Sequence, residues 1–145
     1  MNKEAIATKP TPAETYDWFL QALVNMANRS SLEVEVTLQR SGFLISGLLV
    51  NGQAYVEGLA KDFSIAPSNG PEVYEQVRNR FSKFGENLDL EEGDETLLPQ
   101  YIHLKNARFF NVSGTSISED RAVWWRGRIS EVCGFMLGGL TNEES

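Results

Sequence analysis

The strongest constraint on this chain is a change of hydrophobic period at Leu32. Leu32, Val34, Val36 and Leu38 alternate with Glu33, Glu35, Thr37 and Gln39, so one face of an extended segment is apolar and the other wet. Ser41-Gly42 then turns the chain into Phe43 to Val50, FLISGLLV, which is nearly continuously apolar. Such a run belongs in the middle of a sheet, covered on both sides. Asn51-Gly52 is a strong hairpin signal, so a third strand is expected from Gln53 to about Leu59. Gly47 and Gly58 within these strands predict bulges where a small sheet curls.

A helix precedes the sheet. Thr11-Pro12-Ala13-Glu14 has the form of a capping box with proline at the first helical position, and Tyr16, Phe19, Leu20, Leu23, Val24 and Ala27 follow at helical spacing. The predicted helix runs from Pro12 to Asn28, with its apolar stripe on the sheet. A second amphipathic helix opens at Ser68-Asn69-Gly70-Pro71, carries Val73, Val77, Phe81 and Phe84 on one side, and is expected to stop at Gly85. Glu86 to Glu95 holds six acidic residues and no basic one, which predicts a solvated loop. Within it Glu91, Glu92 and Asp94 form a candidate docking segment for a cationic partner. Tyr101 to Phe110 returns to strand character. Ala122 to Leu140 reads as two further strands hinged around Arg126-Gly127.

The implied organisation is an arm over residues 1–10, a single domain over 11–140 with an insertion at about 60–100, and a tail over 141–145. The fold class is mostly β with flanking helices, a small and strongly bent antiparallel sheet.

Charge narrows the functions. Twenty acidic residues against 13 basic ones leave a net charge of −7, which opposes nucleic-acid binding except through a local basic patch. One cysteine, Cys133, excludes an internal disulfide framework and every zinc motif built on several thiolates. The N-terminal stretch lacks an apolar signal core, and no run approaches the roughly 20 apolar residues of a membrane helix, so a cytoplasmic protein without membrane insertion is expected.

Candidate chemistry is sparse. The single histidine, His103, lies in an alternating strand, where a half-exposed surface position is expected. Cys133 adjoins Gly134-Phe135-Met136-Leu137, where a small buried thiol is the usual occupant. No phosphate-binding glycine loop, serine elbow or metal-ligand spacing occurs, so no catalytic residue, metal or cofactor is expected. Trp124, Trp125, Arg126 and Arg128 form the one basic-aromatic cluster. Alternation turns Trp125 to the core with Val123 and Ile129 and leaves Trp124, Arg126 and Arg128 on the other face as a candidate subunit contact. An RNA-stacking role is the alternative.

Two resemblances bear on these residues. VEVTLQRSGFLISGLLV, YIHLKNARFF and WWRGRISEV resemble strands of Sm-like domains, with Gly47-Leu48-Leu49 similar to the family's Gly-x-Leu and Arg126-Gly127 similar to its Arg-Gly motif. This resemblance implies an Sm-like barrel and a homo-oligomer joined through strand edges. The family's uridine-binding Asp and Met-Asn are absent, and the corresponding stretch reads Asn51-Gly52-Gln53-Ala54-Tyr55-Val56-Glu57, so RNA binding is not expected. Over roughly residues 15–140 the whole chain is similar to the U-type gas vesicle accessory proteins of bacteria. That resemblance implies a nonenzymatic assembly or adaptor protein whose partners are gas vesicle or assembly proteins; an Sm-like RNA module is the alternative, and an enzyme of unknown class ranks third.

Overall fold

A computed structural model describes residues 17–64, 70–92, 98–117 and 122–141. Five strands form one antiparallel sheet: β1 (Val34–Arg40), β2 (Phe43–Val50), β3 (Tyr101–Phe110), β4 (Val123–Arg128) and β5 (Gly134–Leu137), in the spatial order β4-β3-β2-β1-β5. Helix α1 (Trp18–Asn28) precedes the sheet, and α2 (Gly52–Ser64) and α3 (Pro71–Glu92) are inserted between β2 and β3.

The expected helix is present but starts at Trp18. Asp17 is extended and its Oδ1 accepts from the amides of Phe19 and Leu20 at 3.0 and 3.1 Å, which makes Asp17 the N-cap. The Thr11 to Glu14 capping box lies outside the described residues. Leu20, Val24 and Ala27, at helical spacing, are fully buried against Val36 and Leu38 of β1, Ile45 and Leu49 of β2, and Ile102, Leu104 and Ala107 of β3.

The first two strands form as their pattern dictates. Arg40 pairs with Phe43 around Ser41-Gly42, where Gly42 takes the left-handed φ of 92°. β2 is central, with β1 on one side and β3 on the other. Gly47 does mark a bulge: the β2–β3 register shifts between Ser46 and Leu48, and a Cβ at Gly47 would lie 3.1 Å from Leu104 Cβ and from Lys105 O. Asn106, opposite this irregularity, has a positive φ of 56°.

The third strand expected after Asn51-Gly52 is a helix instead. Asn51 Oδ1 accepts from Ala54 N at 2.7 Å, so the asparagine caps α2 rather than turning a hairpin. The residues after it explain the outcome: Val56, Ala60 and Phe63 recur at helical spacing, and Val56 and Ala60 are buried. Gly58 therefore sits in a helix, not a strand. α3 also outruns the expected stop at Gly85 and continues to Glu92, so residues 86–92 of the acidic run are helical rather than loop. Glu and Leu are good helix formers, and like-charge pairs cost only a few tenths of a kcal/mol each. The remaining acidic residues, Asp94 and Glu95, lie outside the described residues.

The expected hinge at Arg126-Gly127 is also displaced. β4 runs straight through Gly127, and the chain bends at a 3-10 turn, Ile129–Glu131, whose Ile129 is fully buried and donates its amide to Gln100 O at 2.9 Å. Gly127 serves packing instead: a Cβ there would collide with the indole of Trp125, its neighbour on the same strand face. The segment Ile129–Cys133 carries the chain from one edge of the sheet to the other. With a 3-10 rise of about 2.0 Å per residue and extended steps of about 3.3 Å, it spans at most about 16 Å. A flat sheet of this order would be about 19 Å from edge to edge, at about 4.8 Å per strand. The sheet must therefore curl, and Arg40 of β1 accordingly lies 5.9 Å from the Trp125 ring of β4. It remains open: among the described residues no ladder joins β4 to β5, so the sheet is not the closed barrel that was expected.

Asp17→Ala should lower unfolding free energy by about 1 kcal/mol, because two helix-terminal amides lose their acceptor. Urea denaturation checks this value, and an unchanged midpoint would show that the cap contributes nothing.

Candidate interaction site

Two surfaces hold the side chains that bear on function. The first is the outer face of β3 and β4, beneath α2. Strand alternation sends Leu104, Val123 and Trp125 to the core and leaves His103, Lys105, Trp124 and Arg126 on the outer face, with His103 paired to Arg126. α2 lies on these residues. A Cβ at Gly58 would fall within the Trp124 indole, so the missing side chain is what lets helix and ring meet. Tyr55 packs edge-on against Trp124 at 6.2 Å and tilts over His103 at 4.8 Å between ring centroids.

His103 is fully buried, not half-exposed as its strand position suggested. Alternation puts it on the outer face, but the unforeseen α2 covers that face. Arg126 Nε donates to His103 Nε2 at 3.1 Å, so the ring proton resides on Nδ1, which is buried without a hydrogen-bond partner. Burial, and secondarily the positive charge of Arg126, push the His103 pKa down to about 3. Burial likewise raises the Tyr55 pKa, with Arg126 opposing it. Both groups are neutral at neutral pH. The Arg126 guanidinium stacks on Tyr101 at 3.8 Å while the residue stays exposed, and Lys105 Nζ lies 5.9 Å from the Trp124 ring.

This arrangement is a packed structural cluster. His103 lacks solvent access and its ring nitrogen is occupied by a guanidinium, so it is not placed to take a proton from an external substrate. Cys133 is exposed rather than buried, because the 3-10 turn breaks the strand alternation that would have turned it inward. It precedes β5, while His103 is on β3, so β1 and β2 separate them and no thiol–imidazole pair forms. Among the described residues no group of three His, Cys, Asp or Glu side chains is placed to hold a metal.

Of the sequence-derived candidates, Trp124 is half-buried against α2, Arg126 is engaged by His103 and Tyr101, and Arg128 is exposed opposite Tyr101. Glu91 and Glu92 end α3, and Asp94 lies outside the described residues. A groove of about 240 Å³ between α2 and α3 is lined by Gln53, Glu57, Lys61, Tyr74, Arg78 and Phe81.

The second surface was not foreseen. Phe135 and Leu137 pair with Leu38 and Val36, on the core face, yet Leu137 is 64% exposed because β5 is the last strand. Phe19 of α1 packs edge-on against Phe135 at 5.8 Å, and Trp18 stacks on Phe19 at 5.6 Å, with these two helix residues 60% and 73% exposed. The apolar core thus runs out to solvent at one edge. The adjoining aromatics Trp18-Phe19 were the available signal, since neighbouring helix positions cannot both lie in one narrow buried stripe.

The fold is thus a β-rich domain with an inserted helical hairpin. Residues 17–140 match the family described as gas vesicle protein GvpU-like, and the chain belongs to that family. No curated protein and no solved structure matches it. No described helix is long and apolar enough to cross a membrane.

The depressed His103 pKa has a defined consequence. The unfolded chain binds the proton near pH 6.5 and the folded chain only near 3, so stability from this group is complete above pH 6.5 and is lost as pH falls towards 3. Denaturation between pH 7 and pH 4 should show a smaller loss in His103→Gln than in the wild type. Equal slopes would mean that His103 is protonated in the folded state.

Proposed function

We propose that this protein is a nonenzymatic, cytoplasmic adaptor that associates with gas vesicles or their assembly proteins through protein–protein contacts and acts as a homo-oligomer. Membership of the gas vesicle family over residues 17–140 supports the setting. The observation that carries the mode of action is the exposed apolar edge formed by Trp18, Phe19, Phe135 and Leu137, larger than a scatter of single surface apolar residues. The curled sheet supports an Sm-like comparison in its bend, while its edges stay open for contacts. Trp124, Arg126 and Arg128 contribute at the β4 edge through their exposed parts, and Glu91, Glu92 and Asp94 form a docking segment for a cationic partner.

RNA is not the partner in this reading. The net charge is −7, and Arg126 is already committed to Tyr101 and His103.

Flotation tests the proposal. The purified protein, mixed with isolated gas vesicles and centrifuged gently, should rise with the buoyant layer, and Leu137→Lys should rise less. Neutralising Glu91, Glu92 and Asp94 should alter recovery more at low salt than at high, because attraction between these acids and a cationic partner across solvent would be screened over about 8–10 Å near physiological ionic strength. Protein that stays in the subnatant, together with submicromolar RNA binding that Arg126→Ala abolishes, would replace the adaptor with an RNA module.

A further inference from the structure

Among the described residues the sheet has two unpaired edges, and they are not equivalent. β4 presents Arg126 and Arg128, and charged residues on an edge discourage strand addition. β5, Gly134–Leu137, carries no charged residue and continues the apolar surface of Phe19 and Trp18. Its backbone is also defined. Gly138 N donates to Glu35 O at 2.8 Å, and Val36 faces Leu137. In an antiparallel ladder hydrogen-bonded and non-hydrogen-bonded pairs alternate, so Met136 turns its amide and carbonyl towards Thr37 of β1. Phe135 and Leu137 therefore turn theirs to the open edge, while their side chains lie on the uncovered end of the core face.

From this we infer that two copies of the chain pair β5 to β5, antiparallel, about a twofold axis at Met136, forming a continuous sheet across both molecules. The inference rests on the homo-oligomer reading above and specifies its contact. In this register Phe135 of one copy faces Leu137 of the other, and the outward amides and carbonyls of both residues find partners. The same symmetry brings the two Phe19, Phe135 and Leu137 surfaces together on the core face, burying them mutually. An isologous contact requires a surface complementary to itself, and an uncharged apolar edge meets that condition. Twofold β4 pairing would instead set Arg126 and Arg128 against their copies. β5 has only four residues, so the ladder mainly sets the register and apolar burial drives association.

The axis fixes a measurable distance. Met136 faces its own copy at a non-hydrogen-bonded position, where Cα atoms lie about 4.5 Å apart. A disulfide accepts about 4.4–6.8 Å. The test is oxidative cross-linking of the full chain in a Cys133→Ser background, comparing Met136→Cys with Val112→Cys, an exposed position elsewhere. Met136→Cys should give a covalent dimer several-fold more readily than Val112→Cys, and adding Leu137→Lys should abolish the difference. Light scattering on the wild type should give twice the chain mass at concentrations where Leu137→Lys is a monomer. Equal cross-linking at the two positions in an oligomeric protein would overturn the β5 contact while leaving self-association intact. A monomeric wild type that still floats with gas vesicles would overturn the homo-oligomer and this contact but retain the adaptor.

Discussion

Everything else in the fold depends on how little chain connects β4 to β5. A short segment containing a 3-10 turn joins opposite edges of a five-stranded sheet, so the sheet has to curl until those edges approach. Ile129 holds the turn in place by burying its side chain in the core and tying its amide to Gln100. Curling brings Trp125 across the concave face towards Arg40, and α1 fills the space that remains. One C-terminal segment thereby supplies both edges, one guarded by arginines and the other apolar.

The convex side has a different character. Its polar pairs are buried because later segments cover them: α2 over His103, and the strap at Gly138 over Thr37 and Ser46. Thr37 Oγ1 and Ser46 Oγ are 2.5 Å apart, and Ser46 Oγ also accepts from Leu140 N at 2.7 Å. Glycines allow both covers, since a Cβ at Gly58 would meet Trp124 and one at Gly139 would meet the Glu35 carboxylate. The basic-aromatic cluster is consequently mostly spent on docking α2. The uncovered surface lies across the sheet, on α1 and β5.

Local period and turn chemistry made much of the sheet legible. Alternation at Leu32 to Gln39, the apolar run at Phe43 to Val50 and the strand at Tyr101 to Phe110 all stand where the sequence put them, as does the bulge at Gly47. Asn51-Gly52 failed because an asparagine amide oxygen can cap a helix as readily as the dipeptide can turn a hairpin, and only the period of the following residues decides. That error concealed α2 and hence the burial of His103. Arg126-Gly127 failed for another reason: a glycine that makes room for a neighbouring indole is indistinguishable in sequence from a hinge. The family was legible in the order of segments, whereas the exposed edge depended on which strand came last in the sheet, which no local pattern encodes.

The central claim is that the β5 edge is open in the free chain and filled on assembly. Residue-resolved amide exchange across a concentration series tests it most directly, because the ladder assigns alternate amides to opposite sides. Phe135 and Leu137 should exchange rapidly in dilute protein and become protected as concentration rises, while Met136 is protected throughout. Protection of Phe135 and Leu137 already in the dilute monomer, or rapid exchange at every concentration, would contradict it.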